Sequence, residues 1–155
     1  MRTPRVTLVA HTRDDTQAMI DTMSESEKAE LSADWLARFR ASSMADPWVH
    51  GFRMVQQDSG LAVGSCMFKG PPVDGVVEIA YGVAADQQGK GYATEAAQAL
   101  VAYAFSTGAV RVVRAHTLPD SIASKRVLIK SGLQYVGDVV DPDDGLVCRF
   151  ESAGQ

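Results

Sequence analysis

At 155 residues, 46% hydrophobic and 22% charged, the chain has the size and composition of one soluble domain able to bury a core without disulfides or a structural metal. A net charge of −4 with dispersed basic residues offers no cationic stripe for a nucleic-acid backbone, although a mildly acidic protein can host a cationic substrate. No apolar run reaches the roughly 20 residues of a membrane span.

In chain order, residues 6–10 read as a short strand and 14–23 as helical. Ser24 followed by Glu27 makes a capping-box pattern ahead of Leu31, Trp35 and Phe39, so a single helix is expected over about 25–40. After a break at "SSMADP", the stretches "WVHGFRMVQQ" and "LAVGSCMFKG" are separated by "DSG" and suit a hairpin. The loop "GPPVDG" leads to residues 76–84, a near-continuous apolar strand of the kind found inside a sheet.

Ala93, Ala96, Ala97, Leu100, Val101, Ala104 and Phe105 then form a helical stripe ending near Gly108. "VRVVRAHTL" follows as a strand, "SIASKRVLIKSG" as a helix that Gly132 would end, and "QYVGDVV" and "LVCRFE" as closing strands. This alternation implies an α/β or α+β sheet covered by helices. Cys66 and Cys148 sit in apolar segments without metal-ligand spacing and read as buried free thiols. The N-terminus is a poor secretion signal, so the cytoplasm is the default expectation.

The turn "QQGKGYATEAA" at 87–97 carries the most chemistry. A helix N-terminus leaves backbone N–H groups without partners and bears partial positive charge, so it attracts phosphate, and glycines let backbone approach the anion. On spacing alone, Gly89 and Gly91 could equally make a tight strand-to-helix connection. A P-loop is excluded because Lys90 is followed by Gly91 rather than Ser or Thr. A dinucleotide fingerprint is weakened because residues 106–119 contain no Asp or Glu, although Arg111 or Arg114 could serve a 2′-phosphate.

Gln88-Gly89-Lys90-Gly91-Tyr92-Ala93 matches Q/R-x-x-G-x-G/A, and in this context the chain resembles the GNAT superfamily of N-acetyltransferases. The likeness runs from about 76 to 137 and is most similar to the ribosomal-protein N-terminal acetyltransferase-like branch. It implies one domain over 1–155, an α+β (α/β three-layer) fold with a mixed, mostly antiparallel sheet of about seven strands flanked by about four helices. It also implies acetyl-CoA as cofactor, no metal, and a small-molecule or peptide amine as acceptor. Neither nucleic acid nor membrane is expected as a partner. Related domains often dimerise, so a homodimer is an arrangement the resemblance allows.

By the same resemblance, backbone at Gly82, Val83 and Ala84 would pair with the pantetheine arm. Main-chain amides of Gln88, Gly89, Lys90, Gly91, Tyr92, Ala93 and Thr94 would hold the pyrophosphate, and Ser121 and Ser124 would assist from the second helix. Glu78 shares a strand face with Ala80, Gly82 and Ala84 and lies about 13 Å before Gly82 along an extended chain. A carboxylate within "VVEIAYGVA" is expected to be partly desolvated, its pKa raised toward neutrality, and suited to take a proton from an ammonium acceptor. A satisfied salt bridge is the alternative.

Two positions depart from the family pattern. Ser121 stands where many relatives have Asn, and Leu128 where many have the tyrosine that protonates the thiolate, which leaves Tyr81, Tyr135 or solvent as acid. Lys125 or Arg126 could reach the phosphates or simply form a solvated face. His11, His50 and His116 lack ligand spacing and read as structural, and Cys66 has no activating pattern. Trp35, Phe39, Trp48 and Phe52 read as core, with segment 24–52 where the family has its acceptor lid. A direct acetyl transfer to a primary amine is the first reading. A catalytically impaired acyl-CoA-binding module is the second, and a dinucleotide enzyme the third.

Overall fold

The computed structural model describes residues 1–41, 46–142 and 144–153, Arg38 without its side chain. The break expected at "SSMADP" lies largely outside them. The strands are β1 (Val6–Ala10), β2 (Phe52–Gln56), β3 (Ala62–Phe68), β4 (Val76–Val83), β5 (Val112–Thr117), β6 (Gln134–Asp141) and β7 (Gly145–Ala153). The helices are α1 (Arg13–Asp21), α2 (Glu25–Ala29), α3 (Ala33–Ala41), α4 (Pro47–His50), α5 (Tyr92–Ser106) and α6 (Ile122–Lys130). One seven-stranded sheet runs in the order β1-β2-β3-β4-β5-β7-β6. Every neighbouring pair is antiparallel except β4 and β5, which are parallel. The expected mixed, mostly antiparallel sheet with flanking helices is thus the observed fold.

The alanine stripe explains the central packing. Ala96, Ala97 and Ala104 of α5 are fully buried with Leu100, and their small side chains let the helix lie close over β1, β3 and β4. Val6, Leu8, Met54, Val63, Phe68, Val77, Ile79 and Val113 supply the sheet side of that core. Burial of each such large apolar side chain is worth ~1.5–3 kcal/mol. Among the described residues no helix is long and apolar enough to cross a membrane.

The single helix expected over 25–40 is two. Ser24 caps α2 through the anticipated box with Glu27, but Ser32 starts a new helix, its Oγ accepting from Trp35 N–H at 3.0 Å and its carbonyl from Leu36 N–H at 3.1 Å. A second capping serine inside a helical pattern divides it, since its side chain competes for the same backbone donors. The strand expected from Trp48 begins instead at Phe52. Asp46 accepts from Trp48 N–H at 3.0 Å with Pro47 at the first helical position, the usual opening of a helix, and Gly51 at φ +73° turns the chain into β2. These extra caps explain six helices among the described residues rather than about four.

The N-terminus is fastened to α5 by one buried carboxylate. Glu95 accepts from Thr3 Oγ1 (2.8 Å), Arg5 N–H (2.9 Å) and Arg5 Nε (2.5 Å). Burial would raise its pKa, but these hydrogen bonds and the guanidinium charge together hold it below the ordinary 4.5. A depressed folded-state pKa contributes stability that is full above the unfolded value and is lost as pH falls through the folded one. Glu95→Gln is therefore expected to cost ~1.5–3 kcal/mol at pH 7, and in urea melts from pH 6 to 3 the wild type should lose an increment that the variant does not.

Candidate active site

The sheet opens at its centre. Strands β4 and β5 are in register at Val76–Val112, Val77–Val113 and Glu78–Arg114, and beyond Glu78 they part. On its other edge β4 stays paired with β3 through Val83. Glu78 carbonyl accepts from Lys69 N–H at 2.8 Å, and Ala84 N–H donates to the Val63 carbonyl at 2.9 Å. Because backbone groups alternate sides along a strand, those of Glu78, Ala80, Gly82 and Ala84 are engaged with β3. Those of Ile79, Tyr81 and Val83 therefore turn toward the opening.

A groove of about 590 Å³ follows this open edge, within the range of small-molecule sites. Its lining includes Gly82, Val83, Gln88, Gly89, Gly91, Tyr92, Ala93, Thr94, Ser121 and Ser124, ten of the residues anticipated from sequence. Ala84 and Lys90 do not line it. The Ala84 N–H is held by Val63, and the Lys90 ammonium turns aside to Gln87 Oε1 at 3.1 Å. On this edge Tyr81 and the Val83 N–H are open, while the Val83 carbonyl accepts from Gln88 Nε2 at 3.1 Å, and Gly82 leaves the space beside them clear, since a Cβ there would meet nothing within 4 Å.

The turn before α5 presents bare amides. The first hydrogen bond of the helix is Glu95 N–H to Gly91 carbonyl at 3.1 Å, and among the described residues no hydrogen bond engages the N–H groups of residues 88–94. Gly89 at φ +77° and Gly91 at φ +87° adopt the left-handed region that favours glycine. Any side chain at Gly91 would also strike the Arg5 guanidinium, which lies 5.3 Å from the Tyr92 ring centroid. Across the groove Ser121 occupies the cap position of α6 without a side-chain cap bond, so its hydroxyl is uncommitted. Arg126 and Lys130 line the same wall, whereas Lys125 bonds the Pro119 carbonyl.

At the closed end of the V, Glu78 is one-quarter exposed and flanked by two nitrogens. Lys69 Nζ and His116 Nδ1 each lie 3.1 Å from its Oε2, while no described group bonds Oε1. The salt-bridge alternative thus holds for one carboxylate oxygen and leaves the other open. A cavity of about 160 Å³ here joins Glu78, Tyr81, His116 and Ser124 to Asp141 and Asp144 of the β6–β7 turn. Tyr81 and Ser124 also line the main groove, so the two spaces meet at the Tyr81 ring. Burial raises the Tyr81 pKa, and the hydroxyl donates to the Ser124 carbonyl at 3.4 Å, so the phenol keeps its proton.

The remaining candidates are dispersed. Leu128 is buried in the core, Tyr135 is exposed and donates to Asp138 Oδ1, and burial pushes the Cys66 thiol up to about 12, so none of them serves the cleft. His50 Nδ1 pairs with Thr16 Oγ1 at 2.9 Å. Trp48 packs on Phe68, ring centroids 4.7 Å apart, and Trp35 stacks on Phe39 at 5.7 Å. His116, Tyr81, Gln87, Val127 and Lys130 join the site without a sequence motif. The strand period does set the parity of Tyr81 and His116, but not which strands face each other.

A family model for the acetyltransferase (GNAT) domain matches residues 5–134. The chain belongs to the GNAT acetyltransferase family. Among curated relatives, the uncharacterized N-acetyltransferase YjdG of Bacillus subtilis (strain 168) is 33% identical over 88 residues, 56% of this chain. The match spans half the length of that relative. A GNAT-family acetyltransferase from Bacillus anthracis shares the fold at TM-score 0.69 and 20% identity, covering 99% of this chain and 97% of that one. The aminoglycoside acetyltransferase AAC(6')-Ib, solved with paromomycin and acetyl-CoA, aligns at TM-score 0.64 and 21% identity over 96% of this chain and 93% of that one. The likeness to these two structures is one of fold.

Two glycines of the paired strands, Gly64 of β3 and Gly82 of β4, differ in what surrounds them. A Cβ at Gly64 would overlap the Gly82 carbonyl and lie 3.0 Å from Val83 Cα, backbone that cannot yield without breaking β3–β4 pairing. Gly64→Ala is expected to cost ~1–3 kcal/mol as an overpacking change. Gly82→Ala, opening on free space, should stay within ~0.5 kcal/mol, and thermal melts of the two variants side by side check the contrast.

Proposed function

We propose that this chain is a single-domain N-acetyltransferase, spanning 1–155, that moves an acetyl group from acetyl-CoA to a primary amine. The observation that carries the reading is the open β4 edge, with unpartnered amides at 88–94 at one end and an unbonded Glu78 oxygen at the other. Amides converging at the start of a fifteen-residue helix suit a diphosphate, and Arg126, Lys130 and the Ser121 hydroxyl stand ready for further phosphate oxygens. The Tyr81 backbone and the Val83 N–H offer strand-like hydrogen-bonding groups to an extended amide chain, as an edge strand does for a peptide, and the Gln88 side chain now on the Val83 carbonyl would have to yield for that acceptor to join. Bound acetyl-CoA would supply the activated acyl thioester, and a main-chain N–H at Val83 or Tyr81 is placed to polarise its carbonyl.

The acceptor arrives as an ammonium in a cavity bearing Glu78, Asp141 and Asp144. Glu78 Oε1 takes its proton, directly or through water, and the free amine attacks. As the C–N bond forms and the C–S bond breaks, the nitrogen would shed its second proton to water, and Tyr81, a neutral phenol at the junction of the two spaces, would protonate the departing sulfur and regain its proton from water. The likeness of the 76–137 motifs to the ribosomal-protein N-terminal acetyltransferase-like branch supports protein N-termini as acceptors beside small amines, met in the cytoplasm where acetyl-CoA is at hand. Within segment 24–52, where the family has its acceptor lid, residues 42–45 lie outside the described residues.

The measurement is a screen of amines with released thiol as readout, alongside calorimetry with acetyl-CoA and NADP. Glu78→Gln should keep acetyl-CoA affinity within about twofold while kcat falls ~10²–10⁴-fold; unchanged turnover removes Glu78 as base. Tyr81→Phe should lower kcat no more than ~10-fold, because coenzyme A thiolate is a tolerable leaving group. Gly82→Leu should weaken acetyl-CoA at least ~10-fold with little loss of stability. Acetyl-CoA binding without thiol release on any amine would favour the binding-module reading, and NADP binding alone the dinucleotide one.

A further inference from the structure

Glu78 and His116 reach the same spot from different strands, and a third residue determines which way the histidine proton points. Glu78 is in register with Arg114, and His116 lies two residues on, so both project from one sheet face. Across β5 and β7, His116 is directly opposite Arg149, and Arg149 Nε–H donates to His116 Nε2 at 3.1 Å. A guanidinium only donates, so Nε2 must be the ring's acceptor and the neutral imidazole carries its proton on Nδ1.

Nδ1 is buried and has no hydrogen bond, although it lies 3.1 Å from Glu78 Oε2. The separation is that of a contact and the angle is poor. A buried N–H left without an acceptor costs ~1–3 kcal/mol, and the carboxylate is the acceptor within reach. A second ring proton has no place, because it would meet the Arg149 N–H head on.

We infer that Arg149 and His116 form a tautomer lock for Glu78, with His116 a fixed Nδ1–H donor that positions the carboxylate by Oε2 and leaves Oε1 to the incoming amine. His116 is thus a positioning residue and not the base, even though an imidazole beside a reactive carboxylate invites that assignment. The other charged and titratable groups facing it are Lys69 at the end of β3, Tyr81 of β4, Asp141 and Asp144 of the β6–β7 turn, and the Arg114–Glu151 pair beside it, 2.7 Å apart. The kinetic consequence rests on the acetyl-transfer reading; the tautomer does not.

The test uses the full chain and two readouts. Nitrogen-15 NMR of the histidine side chains, with His116→Asn used to assign the signal, should show the Nδ1–H tautomer at pH 7. In Arg149→Met the signal should move toward mixed tautomers. An Nε2–H tautomer in the wild type, or an Arg149→Met spectrum identical to it, overturns the lock. In kinetics with an amine found by the screen, His116→Asn, which can still present an N–H to Oε2, should keep kcat within ~10-fold. His116→Leu should lose ~100-fold with the KM for acetyl-CoA within twofold. The pH profile of Arg149→Met should gain an acid limb that Arg149→Met/His116→Asn lacks.

Wild-type turnover in His116→Leu, or superimposable profiles for Arg149→Met and wild type, overturns the positioning role. If His116→Leu does not fold, His116→Asn and Arg149→Met carry the test. If the wild type acetylates no amine, the acetyl-transfer reading fails and the NMR arm still decides the lock.

Discussion

Two parallel strands that hydrogen-bond over only three register pairs and then separate set the terms for the rest of this molecule. Inside a sheet, an unpaired strand edge leaves N–H and C=O groups that must find partners in water or a ligand. Here the divergence exposes the Ile79–Tyr81–Val83 side of β4 while the other side remains tied to β3. The turn entering α5 is at the wide end of the gap, α6 forms its far wall, and Glu78 is the last residue before it opens. Family membership and the local geometry therefore meet at one structural event.

That event also sorts charge. Toward the wide end the groove wall carries main-chain N–H groups, the Ser121 hydroxyl, Arg126 and Lys130, a setting for phosphate oxygens. Toward the narrow end the smaller cavity carries Glu78, Asp141 and Asp144 with Lys69 and His116, a setting for an amine. Tyr81 stands between them. On the sheet face behind the narrow end, register alone builds a row of alternating charge, Lys69 to Glu78 and Arg114 to Glu151, with His116 against Arg149. Opposite charges facing each other across strands hold long side chains in place, so the carboxylate proposed as base sits in a pre-ordered frame.

Much of the fold was legible because local chemistry and long-range packing agree. The period of 3.6 in α5, the near-continuous apolar run of β4, and Gly132 at φ +92° after α6 each report burial or backbone strain that the residue types alone impose. The reading erred where caps compete at short range. Ser32 divides a helix that apolar spacing would continue, and Asp46–Pro47 turns the start of an apolar run into a helical turn. Both signals were present in the sequence, but residues such as Trp35 and Trp48 satisfy either pattern.

What the sequence determined by itself is the glycine turn proposed to meet the cofactor and the carboxylate proposed as base: glycines at positive φ, an uncapped helix start and a carboxylate within an apolar strand are properties of contiguous residues. Which partners surround that carboxylate was decided only by the tertiary structure. Lys69 just past β3, His116 of β5 and Arg149 of β7 are up to 80 positions apart in the chain and meet through strand register. A shift of one residue in the β4–β5 or β5–β7 pairing would put His116 on the opposite face from Glu78 or from Arg149. Register is fixed by the whole packed sheet, so no local pattern around His116 announces its neighbour.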